Sequence, residues 1–228
     1  MRSNYLLSVF LILLFNLQAT AQSTTGESRM MTDPAISKDH IAFVYANDLW
    51  VADLDGKNVT RLTSNEGRES SPCFSPDGKT IAFNGEYDGN ADVYTIPVEG
   101  GTPTRITWHP SYDDVIEFTS DGKSILFTSD MSSFTGALPQ LFKVPVTGGF
   151  PEKMPLQSAT NASLSPDEGM VAYNPLYPAW QQWKNYRGGR VSTIWICKLS
   201  DLSTEKIPQP QGWCNDYMPL WYGDNIYF

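Results

Sequence analysis

Histidine is nearly missing from this chain: of 228 residues only His40 and His109 carry an imidazole. A Ser-His-Asp or Cys-His nucleophilic set needs a histidine beside its nucleophile, so these residues leave little room for one. His109, in Trp108-His109-Pro110 with Asp113 and Asp114 close behind, is the best local acid–base or metal candidate. One imidazole near two carboxylates suits a solvated inter-strand loop equally well. Cysteine is scarce too. Cys73, Cys197 and Cys214 are too few for a disulfide framework, and no Cys-x-x-Cys spacing suggests zinc. One disulfide stays open, against buried thiols in strands for Cys73 and Cys197, which sit in apolar runs. Basic charge is short: 16 Lys and Arg against 25 Asp and Glu leave a net charge of −9, a surface that repels nucleic acid and anionic lipid. No glycine-rich phosphate loop or metal-ligand helix is visible, so no catalytic residue, cofactor site or metal ligand is assigned.

Long apolar runs are absent except once, at residues 5–17, behind Arg2 and ahead of Ala19-Thr20-Ala21. A basic start, a short apolar stretch and a small-x-small site read as a secretory signal over residues 1–21, cleaved after Ala21. The run is shorter than the ~20 residues of a spanning helix, so no stable membrane span is expected after cleavage. The expectation is an exported protein, periplasmic or extracellular, with residues 22–32 as a linker. Asn58-Val59-Thr60 and Asn161-Ala162-Ser163 match the glycosylation sequon, a signal whose meaning depends on the host.

What is abundant is repetition. Apolar triplets Ile41-Ala42-Phe43, Ile81-Ala82-Phe83, Ile125-Leu126-Phe127 and Val171-Ala172-Tyr173 recur, and Ile226-Tyr227-Phe228 begins a fifth copy. Each of the first four is followed by a second triplet: Asp48-Leu49-Trp50, Asp92-Val93-Tyr94, Gln140-Leu141-Phe142 and Thr193-Ile194-Trp195. Three copies close on Arg61-Leu62-Thr63, Arg105-Ile106-Thr107 and Lys206-Ile207-Pro208. A period of roughly 40–45 residues with several short strands per unit is the mark of a β-propeller, whose sheets bury both faces only against neighbouring units. Turns such as Ser75-Pro76-Asp77-Gly78 supply the hairpins, with Pro presetting φ and Gly accepting positive φ. The predicted class is all-β: four-stranded antiparallel blades, four complete and a fifth begun, forming an incomplete ring. The blades fall at approximately 34–63, 71–107, 114–154, 161–207 and 217–228 within a propeller domain of residues 33–228.

The two faces of such a ring differ. Connections between first and second strands and between third and fourth are short and Gly-rich. The other face carries the longer segments 85–90, 108–113, 130–139 and the longest insertion, 174–192. Long loops gathered on one face are where propellers usually make contacts. The insertion offers Trp183 and Tyr186 as aromatic faces, Lys184, Arg187 and Arg190 to pair with carboxylates, and Gly188-Gly189 to expose backbone amides. Binding an anionic group such as a peptide terminus is one reading. A loop whose aromatics cap the propeller and whose basic residues pair with neighbouring acids is the other.

Trp183-Lys184-Asn185-Tyr186-Arg187-Gly188-Gly189, followed by Ile194-Trp195-Ile196, resembles the tricorn protease family, as does Ile41-Ala42-Phe43 followed by Asp48-Leu49-Trp50. The resemblance covers nearly all of residues 33–228. The Ser-Pro-Asp-Gly turns alone are shared with TolB-like and dipeptidyl-peptidase-like propellers. The resemblance implies the N-terminal, six-bladed propeller of a serine peptidase that continues into a second propeller, a PDZ-like module and a catalytic core. Peptides, those further domains and a homo-oligomer are the partners it implies. The family's serine nucleophile and its histidine partner lie in that core, so no catalytic residue is carried over. In archaeal members a basic pair from this propeller helps to hold the peptide C-terminus, whereas the corresponding stretch here, 107–118, has no Arg or Lys. The alternative is a non-enzymatic periplasmic propeller of the TolB-like kind that binds a protein or glycan.

Overall fold

The computed structural model of the chain describes residues 30–134, 138–177, 188–189, 191–209 and 215–228. Among them there is no helix. Four four-stranded antiparallel sheets and one two-stranded sheet follow each other along the chain. Blade one comprises β1 (Met31–Ile36), β2 (His40–Tyr45), β3 (Asp48–Asp53) and β4 (Thr60–Arg61). Blade two is β5 (Glu69–Phe74), β6 (Thr80–Gly85), β7 (Asp92–Pro97) and β8 (Thr104–Arg105). Blade three is β9 (Asp113–Phe118), β10 (Ser124–Ser129), β11 (Gln140–Pro145) and β12 (Glu152–Lys153). Blade four is β13 (Asn161–Leu164), β14 (Met170–Asn174), β15 (Trp195–Lys198) and β16 (Thr204–Lys206), and blade five contains β17 (Leu220–Tyr222) and β18 (Asn225–Tyr227). This is a partial propeller, as the repeats predict.

The paired triplets now have a reason. In every complete blade the second and third strands set an aromatic opposite an aromatic: Phe43 and Trp50, Phe83 and Tyr94, Phe127 and Phe142, Tyr173 and Trp195. Two of these pairs are stacked, with ring centroids 5.9 Å apart for Phe83–Tyr94 and 5.6 Å for Phe127–Phe142. Cross-strand aromatic pairs fix register as well as adding buried area. One triplet begins late. Thr193 and Ile194 precede β15 because the Thr193 carbonyl accepts from Asn174 Nδ2 at 2.9 Å instead of joining the strand ladder.

Alternation along each strand sends neighbouring side chains to opposite faces, so a blade between two others is apolar on both. Ile81, Phe83, Tyr94 and Ile96 pack with Leu49, Val51 and Leu62 of blade one. Ala82, Val93 and Ile106, from the same blade, pack with Val115, Ile125, Phe127 and Phe142 of blade three. Leu126, Leu141, Met154 and Leu156 meet Ala162, Leu164, Val171 and Cys197 of blade four. The core is therefore three seams rather than one centre.

The first-to-second-strand turns of blades two, three and four share one hydrogen-bond pattern. Ser75 Oγ donates to Asp77 Oδ1 at 2.6 Å and accepts from Thr80 N at 3.0 Å, and Thr119 with Asp121 and Ser165 with Asp167 repeat the arrangement. Gly78 and Gly122 take the left-handed position at φ 71° and 69°. In blade four the glycine comes one residue late, so Glu168 occupies that position at φ 56°. Its carboxylate reaches the preceding turn, accepting from Ser120 N at 2.8 Å and Ser120 Oγ at 2.6 Å.

Candidate functional site

The innermost strands β1, β5, β9 and β13, with the segment entering β17, frame a central cavity of about 570 Å³. Its polar wall comprises Asp33, Ser71, Asp114, Glu117, Asn161 and Ser163, and no lysine, arginine or histidine lines it. Asp33 and Ser71 sit at bulges in β1 and β5 with φ of 49° and 50°. A bulge bends the inner strand and re-aims a side chain, here where the wall curves. Asp114 Oδ1 accepts from Ser71 Oγ at 2.8 Å and Asn84 Nδ2 at 2.6 Å. Glu117 accepts from Leu164 N at 2.6 Å and from Ser163 Oγ at 3.1 Å, and Ser163 Oγ accepts from Trp221 N at 3.0 Å. One carboxyl thus ties blade three to blade four and, through Ser163, to blade five. Burial pushes the Glu117 carboxyl up to about 7, opposed by its two hydrogen bonds and helped by the charge of Glu168. The wall offers acceptors and negative charge, and its two serine hydroxyls, Ser71 and Ser163, donate to carboxylates.

The seams beside this channel carry a second polar layer. Asp48, Arg61, Thr63 and Glu69 recur 44 positions later as Asp92, Arg105, Thr107 and Asp113. Arg61 bridges Asp48 at 2.8 Å and donates from Nε to the Thr63 carbonyl at 2.7 Å. Arg105 bridges Asp92 at 2.5 Å and Asp88 at 2.6 Å, donates from Nε to the Thr107 carbonyl at 2.9 Å, and lies 4.3 Å from the Trp108 ring centroid. Glu69, fully buried, accepts from Leu49 N at 2.6 Å, from Tyr87 Oη at 2.5 Å and from the Thr63 hydroxyl. The ending Arg61-Leu62-Thr63 is therefore a clasp: its base closes the third strand of its own blade, and its hydroxyl reaches the acid that starts the next, whereas in the second set the Thr107 hydroxyl donates to Asp92 Oδ1 at 3.4 Å. Sequence reading missed this role, although the identical spacing of the two sets carried the signal.

His109, Asp113 and Asp114 do not form one site. His109 Nδ1 accepts from Ser111 N at 3.1 Å, Asp113 is fully buried in the seam, and Asp114 lines the channel, as alternation along β9 requires. Among the described residues no group of three His, Cys, Asp or Glu side chains could hold a metal ion. Cys73 and Cys197 are free thiols in β5 and β15, and Cys214 lies outside the described residues.

On the face with the long loops, Trp108, Tyr112, Phe134 and Tyr177 are exposed. Burial, with the charges of Asp114 and Asp130, raises the Tyr177 phenol. The insertion candidates Trp183, Lys184, Tyr186, Arg187 and Arg190 lie outside the described residues. Their anchors are well defined. Asn174 Nδ2 donates to the carbonyls of Thr193 and Asp216, both at 2.9 Å, while Ser158 Oγ and Thr160 Oγ1 donate to the carbonyls of Pro175 and Leu176 at 2.6 and 3.2 Å. Beside these anchors a cavity of about 370 Å³ is lined by Tyr173, Leu176, Val191, Thr193 and Trp195.

Residues 28–228 match the tricorn protease N-terminal beta propeller domain. The chain belongs to the tricorn protease family. Tricorn protease homolog 1 of Streptomyces coelicolor is 29% identical over 188 residues, covering 82% of this chain and 17% of that protein. The crystal structure of the tricorn protease superposes with a TM-score of 0.75 at 27% identity, covering 89% of this chain and 20% of that one. TolB from Acinetobacter baumannii shares the fold, with a TM-score of 0.60 at 20% identity, over 83% of this chain and 45% of TolB. This tricorn-family propeller thus spans about a fifth of the length of the tricorn proteins it matches.

Proposed function

We propose that the chain is the N-terminal propeller of an exported serine peptidase of the tricorn type, and that its channel guides or gates peptides for a catalytic core outside these residues. The family match over residues 28–228 carries this reading. A channel framed by the innermost strands gives peptides a path, and the basic start, short apolar run and small-x-small site within residues 1–21 support export. Carboxylates in the wall suit an ammonium or a basic side chain better than a carboxylate. Residues 107–118 contribute Asp114 and Glu117 to that wall and no base, so they are not what holds a peptide C-terminus. Lys184, Arg187 and Arg190, on the insertion, are the candidates for that contact, and homo-oligomerisation belongs to the same reading.

Plugging the channel tests it. In the native full-length protein, Asn161→Cys modified with a bulky maleimide is expected to slow hydrolysis of long peptides while leaving a small ester substrate unaffected. Equal hydrolysis of both with the channel plugged would rule out passage. A native protein that hydrolyses neither substrate would favour the non-enzymatic binding propeller, for which the TolB-like fold is the supporting observation.

A further inference from the structure

The two clasps differ at one acid. Glu69 has three donors around its carboxylate, whereas Asp113, at the same place in the next seam, has only the Thr107 and Ser129 hydroxyls as donors facing it, neither in close hydrogen-bond geometry. Asp113 is fully buried. Two changes in sequence explain the difference. Aspartate is one methylene shorter, so Val93 N is met by Thr107 Oγ1 alone, at 2.9 Å. The position corresponding to Tyr87, whose phenol donates to Glu69, is Met131, whose thioether cannot donate. The local cation is already taken, since Arg105 is spent on Asp92 and Asp88.

We propose that Asp113 is carried protonated in the folded propeller, and that its ionisation loosens the seam between blades two and three. The joint would make the hold on segment 106–112 and on the loop after Ser129, both on the loop face, depend on pH. An ionised carboxylate with no cation of its own is costly when fully buried, whereas the neutral acid can donate to a neighbouring oxygen. The proton lost on ionisation goes to solvent. Facing Asp113 are Asp92 from β7, Thr107 and His109 from the segment after β8, and Ser129 from β10. Asp92 opposes ionisation, and a protonated His109 favours it. Burial is the larger cause, and it lifts the Asp113 carboxyl to about 6.

The test compares the full chain with Asp113→Asn, which keeps the shape of the neutral acid and cannot ionise. The two are expected to unfold alike near pH 4, and the variant to gain on the wild type as pH rises. By about pH 8 the ratio of their folding constants reaches about a hundredfold, the effect of a carboxyl lifted from its ordinary range to about 6. Repeating the pair in a His109→Gln background removes the imidazole's own titration. Amide exchange at Val93 and Val115 should be faster in the wild type than in the variant at high pH. A variant less stable than the wild type near pH 8, or a ratio that does not change with pH, would overturn the proposal. Should Asp113→Asn fail to fold, NMR titration of isotope-labelled aspartate carboxyls in the wild type decides. One carboxyl titrating at about 6 supports it, and all aspartates titrating near their ordinary values refute it.

Discussion

Replacing Glu69 by alanine should open the seam between blades one and two. The side chain is fully buried and gathers Leu49 N, the Thr63 hydroxyl and the Tyr87 phenol. Leu49 N keeps a second acceptor in Thr63 Oγ1 at 2.8 Å, so two donors lose their partner rather than three. The unpaired buried Thr63 donor costs about 1–3 kcal/mol and the half-buried Tyr87 phenol less, and removing a carboxyl whose own burial was unfavourable returns part of that. Burial is the largest influence on the Glu69 carboxyl and raises its pKa, so that offset is real. The net expectation is a loss of about 2–4 kcal/mol. For a chain of this size that is a fall of roughly 5–15 °C in the unfolding midpoint by calorimetry. Glu69→Gln, which retains one acceptor, should lose about half as much. A double-mutant cycle with Thr63→Val isolates the clasp, and the coupling should be at least about 1 kcal/mol. Additivity within about 0.5 kcal/mol would refute the reasoning, because residues sharing a buried network cannot be independent.

Glu117 gives a second pH signature. Its pKa is raised in the fold, so its stabilising contribution is complete below the unfolded value and is lost as pH rises through about 7. Glu117→Gln should therefore gain on the wild type between about pH 4 and pH 8 by up to roughly 3 kcal/mol, read from urea unfolding at each pH. Gly78→Ala forces a side chain to φ 71° and should cost about 1–2 kcal/mol in the same assay, although its Cβ would meet only Ser37 at 3.6 Å. The Cys73 thiol is pushed up to about 12, chiefly by burial, so iodoacetamide at neutral pH should leave it unmodified until the chain is unfolded, as mass spectrometry of the Cys73 peptide would show.

The blades were legible because each repeated residue has a local task. Strand alternation, aromatic triplets and Asp-Gly turns are short-range rules, and the four complete blades follow them, except that Thr193 and Ile194 fall outside β15 and β1 and β5 begin earlier, at Met31 and Glu69. In blade four Glu168 comes between Asp167 and Gly169, but that Glu168 accepts the left-handed position and reaches Ser120 depends on the neighbouring blade. The clasps were half legible. Arg61-Leu62-Thr63 and Arg105-Ile106-Thr107 stood out as repeats, yet their partners Asp48, Asp92 and Glu69 come from both the same sheet and the next one. The channel could not be read from the sequence, since its wall takes two to four residues from each of four inner strands. The insertion was the opposite case. Its composition was conspicuous, but the anchoring of its ends by Asn174, Ser158 and Thr160 comes from residues that carry no signal of their own.

The central claim is that this propeller serves a peptidase. It is tested most directly by the native polypeptide itself, detected in periplasmic extract with an antibody against residues 30–228 and exposed to a serine-directed active-site probe. The account predicts a band several times larger than 25.5 kDa that the probe labels. A band near 25.5 kDa, or a larger one that the probe never labels, would contradict it.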